Sequence, residues 1–286
     1  MNYANAFTYR GNRSTTAGAN AVRSGSVWYD IPFEEIKNGE IEGTFLDIDF
    51  AKFKLSANVN ASVAYWDQGL NLYGSDGATL VTFDAVGGGV TFASDGDNEG
   101  VAFQQAVLPF LLARTVQPFA MEVLMQTSTI TDTKHGWFIG LGDAMTLSAT
   151  VPIAAAGTLA DENFVGFHRL EGDGDAVDTV YKADTVTQVT VGADAFTIAA
   201  ATDFKLAMRF DPLRDPYIQG PDSTAKWLVS FYKDGVRHAT TKQLPSAAGT
   251  DFPNDVKMGV LFALLNATGT TPGSTTLKKL WVAQQY

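Results

Sequence analysis

The sequence predicts an all-β protein, an antiparallel β-sandwich preceded by an extended N-terminal arm. Three observations predict it. From Trp28 onward the apolar residues recur with a period of two, as in half-buried strands. The alternating runs are short and are separated by Gly, Asp and Pro turns. Helical patterns are scarce, whereas a parallel α/β fold needs them repeatedly, over about 10–15 residues each.

Residues 1–29 are polar, rich in Asn, Ser, Thr, Ala and Gly, and show neither period. They read as the arm, either disordered or ordered against a partner. Residues 30–68 form a β-rich lead-in, with room to pack on the sandwich, and residues 69–286 the sandwich itself. "FEEIKNGE" is a short helical turn. "TFLDIDF" puts Leu46, Ile48 and Phe50 on one face, and "AKFKL" puts Phe53 and Leu55 on the other, so a bulge or break falls near Ala51. "VNASVAY" alternates through Val59, Ala61, Val63 and Tyr65. "FQQAVLPFLLA" suits helix or strand, and Pro109 argues against a long helix.

"FAMEVLMQT" turns Phe119, Met121, Val123 and Met125 inward. "FKLAMRFD" turns Phe204, Leu206, Met208 and Phe210 inward, and Lys205, Arg209 and Asp211 toward solvent. "DPLRDPYIQGPDSTAK" is a long loop and a contact element. "KWLVSFYKDGVRHAT" is a hairpin turning at Asp234–Gly235. "VKMGVLFALL" alternates through Met258, Val260, Phe262 and Leu264, and "TLKKLWVAQ" is the last strand.

The chain's 286 residues suffice for a sizeable core. With no cysteine, disulfides, thiolate nucleophiles and cysteine-ligated metals are excluded, and a reducing cytoplasm is the expected place of synthesis. No apolar run is long enough to span a membrane, and the first residues lack the apolar core of a secretory signal. The net charge of −11 argues against nucleic acid. Arg10, Arg13 and Arg23 lie within residues 1–29, which hold no acid, so a basic arm precedes an acidic body.

Catalytic motifs are missing. There is no G-x-S-x-G elbow and no phosphate-binding loop, and "VGGGV" leads into a strand. His135, His168 and His238 are widely spaced, outside any H-E-x-x-H pattern. Glu40/Glu42 and Asp47/Asp49 have the i, i+2 spacing of a strand face, about 6.5–7 Å. No E-x-D-x-x-E run of the sandwich glucanases accompanies them, and Asp47 and Asp49 read as a solvent face. The sequence therefore predicts no catalytic residues, no enzyme activity and no obligate cofactor.

Two acidic stretches remain. In "SDGDNEG", Asp95, Asp97, Glu99 and Gly100 match the first half of an EF-hand loop, but the twelfth position, which needs a bidentate Glu, is Ala106. "EGDGDAVD" holds Glu171, Asp173, Asp175 and Asp178, again without a completing ligand in register. Both read first as polar turns, the former as a hairpin between "VTFA" and "VAFQ". The other reading is a Ca2+ site built where the loops meet, drawing on Asp95, Asp97, Glu99, Asp173 and Asp175.

"GWFIGLGDAMTL", "NFVGFHRLEGDG", "DFKLAMRFDP", "WLVSFYKDGVRHAT", "VKMGVLFALLNATG" and "LKKLWVAQQY" follow in order. This succession resembles the concanavalin A-like jelly rolls of tailed-bacteriophage virion proteins, over roughly residues 69–286. Trp227 to Val236 is similar to the strand–turn–strand of laminin-G-like and lectin-like sandwiches. The resemblance implies a non-enzymatic capsid decoration (cement) protein, a homo-oligomer made in the bacterial host cytoplasm. It would sit on the outside of the virion and brace the major capsid protein. Arg10, Arg13, Arg23, Arg214 and Tyr217 are then the expected contacts. The alternative is a carbohydrate-binding, lectin-like module for host adhesion, with Trp66, Tyr73, Trp137 and Tyr217 as candidate platform aromatics.

Overall fold

The computed structural model describes residues 24–28, 31–52, 64–66, 69–74, 80–83, 88–94, 96, 98–113, 118–143, 153, 159–160, 162–211, 227–239, 242–244, 251–266 and 273–286. It is an antiparallel β-sandwich of two sheets, as the sequence predicts. Sheet A contains β1 (Gly43–Asp49), β4 (Leu80–Phe83), β5 (Val90–Ala93), β8 (Phe119–Thr127), β13 (Asp203–Asp211), β14 (Trp227–Lys233), β15 (Val236–Arg237), β16 (Lys242–Leu244) and β18 (Ser274–Gln285). Sheet B contains β2 (Ala64–Trp66), β3 (Leu70–Gly74), β6 (Gly100–Gln105), β7 (Phe110–Leu111), β9 (His135–Gly142), β10 (Phe164–Arg169), β11 (Ala176–Lys182), β12 (Val189–Thr197) and β17 (Lys257–Asn266).

Sheet A runs β15-β14-β13-β8-β18-β5-β4, with β1 beside β18 and β16 beside β14. Sheet B runs β12-β11-β10-β9-β17-β6-β3-β2, with β7 beside β17. The core lies between the sheets. Sheet A turns Met121, Val123, Met125, Leu206 and Met208 into it, and sheet B meets them with Trp137, Ile139, Val165, Phe167 and Phe262. Period-two alternation produces this directly, because each strand hands every second side chain to one core. Close strand packing is fixed by Gly140 and Gly166 on the outer face of sheet B. A Cβ on Gly140 would come within 2.2 Å of the Val165 carbonyl oxygen, and one on Gly166 within 2.4 Å of that of Ile139.

"FEEIK" forms a short helix, α2 (Phe33–Lys37). The break after "TFLDIDF" is a 3-10 turn at Phe50–Lys52, where the Ala51 amide donates to Asp49. The ambiguous "FQQAVLPFLLA" resolves into the end of β6 and the two-residue β7. The β14–β15 hairpin turns at Asp234 (φ 50°) and Gly235 (φ 80°), the paired positive angles of a tight turn. One expectation is corrected. "VTFA" and "VAFQ" are not hairpin partners, because β5 belongs to sheet A and β6 to sheet B. "SDGDNEG" therefore crosses between the sheets, and Asp and Gly suit a crossing as well as a hairpin.

A second correction concerns the outer face of sheet A. Lys205 and Arg209 point outward as predicted, yet both are buried. Residues 24–28 lie over β8 and β13 there, and residues 31–37 continue along the same face, with α2 against β1 and β18. This stretch comprises the one-turn helix α1 (Gly25–Trp28), Ile31 and α2, and it packs Val27, Trp28 and Ile31 against Ala120, Ala207, Tyr232 and Trp281. Sequence periodicity marks which residues face outward but not what lies over them.

Candidate acidic cation site at the edge of sheet B

Asp173, Asp178 and Asp194 bring carboxylate oxygens within 4.8 Å of one another. Three different elements supply them. Asp173 lies in the turn between β10 and β11. Asp178 stands on β11, and Asp194 on the edge strand β12. The β11–β12 pairing shifts register on both sides of Thr179, and Asp194 takes a left-handed φ of 50°. The irregularity turns the Asp194 amide onto Asp178, donating to its Oδ1 at 2.8 Å. Asp tolerates this conformation better than most residues, and bulges at sheet edges commonly re-aim a side chain.

The electrostatics are unfavourable without a counter-ion. Burial pushes the Asp178 carboxyl above its ordinary value; the hydrogen bond from Asp194 pulls it back, and the carboxylates of Asp173 and Asp194 push it up again. The Asp173 carboxyl is also raised, by burial first and then by Asp194, and the Arg169 guanidinium partly offsets this. Arg169 is itself buried. Its Nε donates to the Gly174 carbonyl at 2.8 Å and its Nη1 to the carbonyl of His135.

His168 adjoins the cluster. It is the register partner of Asp178, so the two side chains stand on one face of sheet B, with Cβ atoms about 5 Å apart. The imidazole is fully buried and neither ring nitrogen has a hydrogen-bond partner among the described residues. Burial alone lowers its pKa to about 4, so it is neutral at pH 7.

The predicted site residues divide into three groups. Asp95, Asp97, Arg10, Arg13, Arg23, Arg214 and Tyr217 lie outside the described residues. Glu99 is half-buried in the inter-sheet crossing, where its carbonyl accepts from the Asn266 amide and from Ser94 Oγ. Asp173 is in the cluster, whereas Asp175 is exposed and outside it. Asp178 stands in the second acidic stretch but outside the predicted ligand set, and neither Asp194 nor His168 is singled out as a ligand by sequence reasoning. Their signals are an acid interrupting the alternation of "VTVGADAF" and a histidine at an outward position of "FVGFHR".

Two of the candidate platform aromatics are core residues. Trp137 is buried between the sheets, and Tyr73 is buried on the outer face of sheet B. That outer face is apolar, with Ala102, Phe138, Phe164, Leu261 and Ala263, and Ile153 and Leu159 pack over it. It offers no open sugar platform among the described residues. His135 faces the interior, with Nε2 3.0 Å from Thr127 Oγ1, so it cannot converge with His168, which faces outward. Asp49 is tied to Lys52 at 3.4 Å.

No family model matches the sequence, and no curated protein matches it. Solved structures are similar over most of its length. Peanut lectin is 13% identical, covering 85% of this chain and 98% of that one, with a TM-score of 0.49. The Emp47p carbohydrate recognition domain is 10% identical, covering 84% and 95%, with a TM-score of 0.49. A carbohydrate esterase from the Shiga toxin-encoding bacteriophage phi24B is 13% identical, covering 75% and 90%, with a TM-score of 0.41. At this identity and overlap no role passes from these proteins to this one.

Proposed function

We propose that this protein is a non-enzymatic glycan-binding module whose contact, held through a divalent cation, lies at the β10–β11–β12 edge of sheet B. The observation that supports it is the gathering of Asp173, Asp178 and Asp194 at an edge strand, with two of the carboxyls pushed up. A hard cation such as Ca2+ takes 6–8 oxygen ligands. Three carboxylates supply the charge and leave part of that shell to water or to the vicinal hydroxyls of a sugar. The buried and apolar outer face of sheet B argues for contact at this edge instead of across the sheet.

The test is a glycan array in Ca2+ and in EDTA, run with the wild type and with Asp178→Asn. The reading expects hits in Ca2+ that disappear in EDTA and in the variant. Hits that persist in both, or an empty array with Ca2+ present, overturn it.

A second reading, decoration of the outside of a phage head, draws support from a different place. Ser24 is held by its amide and its hydroxyl on Glu122, so the stretch bearing Arg10, Arg13 and Arg23 starts from a fixed point on sheet A. On this reading, deleting residues 2–23 abolishes binding to purified heads while the sandwich stays folded. Wild-type occupancy by the truncated protein sinks it.

A further inference from the structure

We propose that residues 24–28 and 31–37 form a releasable strap, latched to the outer face of sheet A by Glu122, which opens as a unit while the sandwich remains folded. The latch is one carboxylate. Glu122 is fully buried and accepts from the Ser24 amide at 2.8 Å, Ser24 Oγ at 2.6 Å and Trp28 Nε1 at 2.7 Å. Arg209 Nη1 adds a bond to the Val27 carbonyl at 3.1 Å. The strap contributes no strand to either sheet. Its apolar side chains belong to a cluster distinct from the inter-sheet core.

The face beneath it is built to survive opening. Lys205 Nζ lies 3.4 Å from Glu122, and Arg209 pairs with Asp211 at 2.7 Å, so each charge keeps a partner supplied by the sheet itself. Apolar residues would cover a permanently buried face at less cost in desolvation, so two ion pairs fit a face that is at times uncovered. The strap's far end also permits movement. Gly39 has a φ of 73° and open space around the position of a Cβ, which fits a hinge between α2 and β1. The strap is a low-stability cooperative unit on a high-stability body. Its opening uncovers Tyr232 and Trp281, so any partner that pulls on the preceding residues also exposes this face.

Hydrogen exchange read by mass spectrometry on the full chain tests this. In the wild type, amides of residues 24–28 and 31–37 should exchange at least tenfold faster than those of β8 and β13. Glu122→Gln should accelerate the strap at least tenfold further, while β8, β13 and β18 still exchange at least tenfold more slowly than the strap. Because that variant alters a buried ion pair and can fail to fold, Ser24→Ala combined with Trp28→Phe removes two side-chain donors from the strap instead. It should give the same local acceleration. Strap amides that exchange in step with β8 and β13, or that ignore the double variant, overturn the proposal.

Discussion

Glu122 and Asp178 are both carboxylates buried on the outer face of a sheet, and their surroundings are opposite. Glu122 receives three hydrogen bonds and faces a lysine. Asp178 receives one backbone amide and faces two more carboxylates, beside a histidine with no partner among the described residues. The first is complete, so it holds structure. The second is short of positive charge, so it is suited to take up a cation. Burial alone does not distinguish the two; the sign and number of neighbouring groups do.

Removing each carboxylate gives the largest contrast. Glu122→Ala removes the acceptor of three strap hydrogen bonds and the anion beside Lys205, and should lower the stability by about 3–5 kcal/mol, the usual penalty for breaking a buried pair. Asp178→Asn relieves a like-charge contact and keeps an oxygen for the Asp194 amide, so the calcium-free melting temperature should hold or rise. Calorimetry of both proteins in EDTA checks this. A large loss of stability in the Asp178 variant would mean that its carboxylate is structural after all.

Cation addition is the next effect in size. A ligand held only by the folded state stabilises it by about 2.7 kcal/mol at a hundred times its dissociation constant. Ca2+ should raise the melting temperature of the wild type and of Glu122→Gln alike, and leave Asp178→Asn unmoved. If both carboxylate variants lose the response, the ion binds elsewhere.

Acid separates the two kinds of buried group further. His135 and His168 have pKa values lowered to about 3 and about 4, so they stay neutral in the fold. The unfolded chain protonates both below 6.5, so stability falls as the pH drops from there, by about 1.4 kcal/mol per pH unit for each histidine. Asp173 and Asp178 act oppositely: their raised values mean that stability is regained as the pH falls through them toward 3.8. Urea midpoints between about pH 7 and pH 5 should therefore decline, and His168→Leu should remove one histidine's share of the slope. An unchanged slope would mean that His168 is protonated in the fold.

The parts of this comparison differ in how far the sequence shows them. Alternation in "FKLAMRFD" and "VKMGVLFALL" assigns the inward faces residue by residue, because a core-lining strand has one solution of period two. The strap does not show in this way. Lys205 and Arg209 look like solvent-facing charges until residues some 180 positions away are laid over them. Asp173 was legible as a cation candidate, since Asp and Gly gather in its turn. Asp194 was not, because its role depends on a bulge that re-aims a single amide. The sheet assignment of β5 and β6 was likewise hidden, as a short acidic connection suits a hairpin and an inter-sheet crossing equally.

The smallest effect comes from a carboxylate outside both classes. Asp49 reaches Lys52 at 3.4 Å, with the lysine side chain 81% exposed. Water screens that pair, and holding a long lysine in place costs side-chain entropy, so such contacts contribute about 0–1 kcal/mol. Lys52→Ala should shift the urea midpoint by no more than about 0.5 kcal/mol equivalent, an effect that further shrinks in 0.5 M salt. The Glu122–Lys205 pair has the same separation and the opposite exposure. Measuring Lys205→Ala beside Lys52→Ala therefore isolates burial at constant distance. If the two losses were equal, desolvation would not be what makes Glu122 a latch, and its three hydrogen bonds alone would hold the strap.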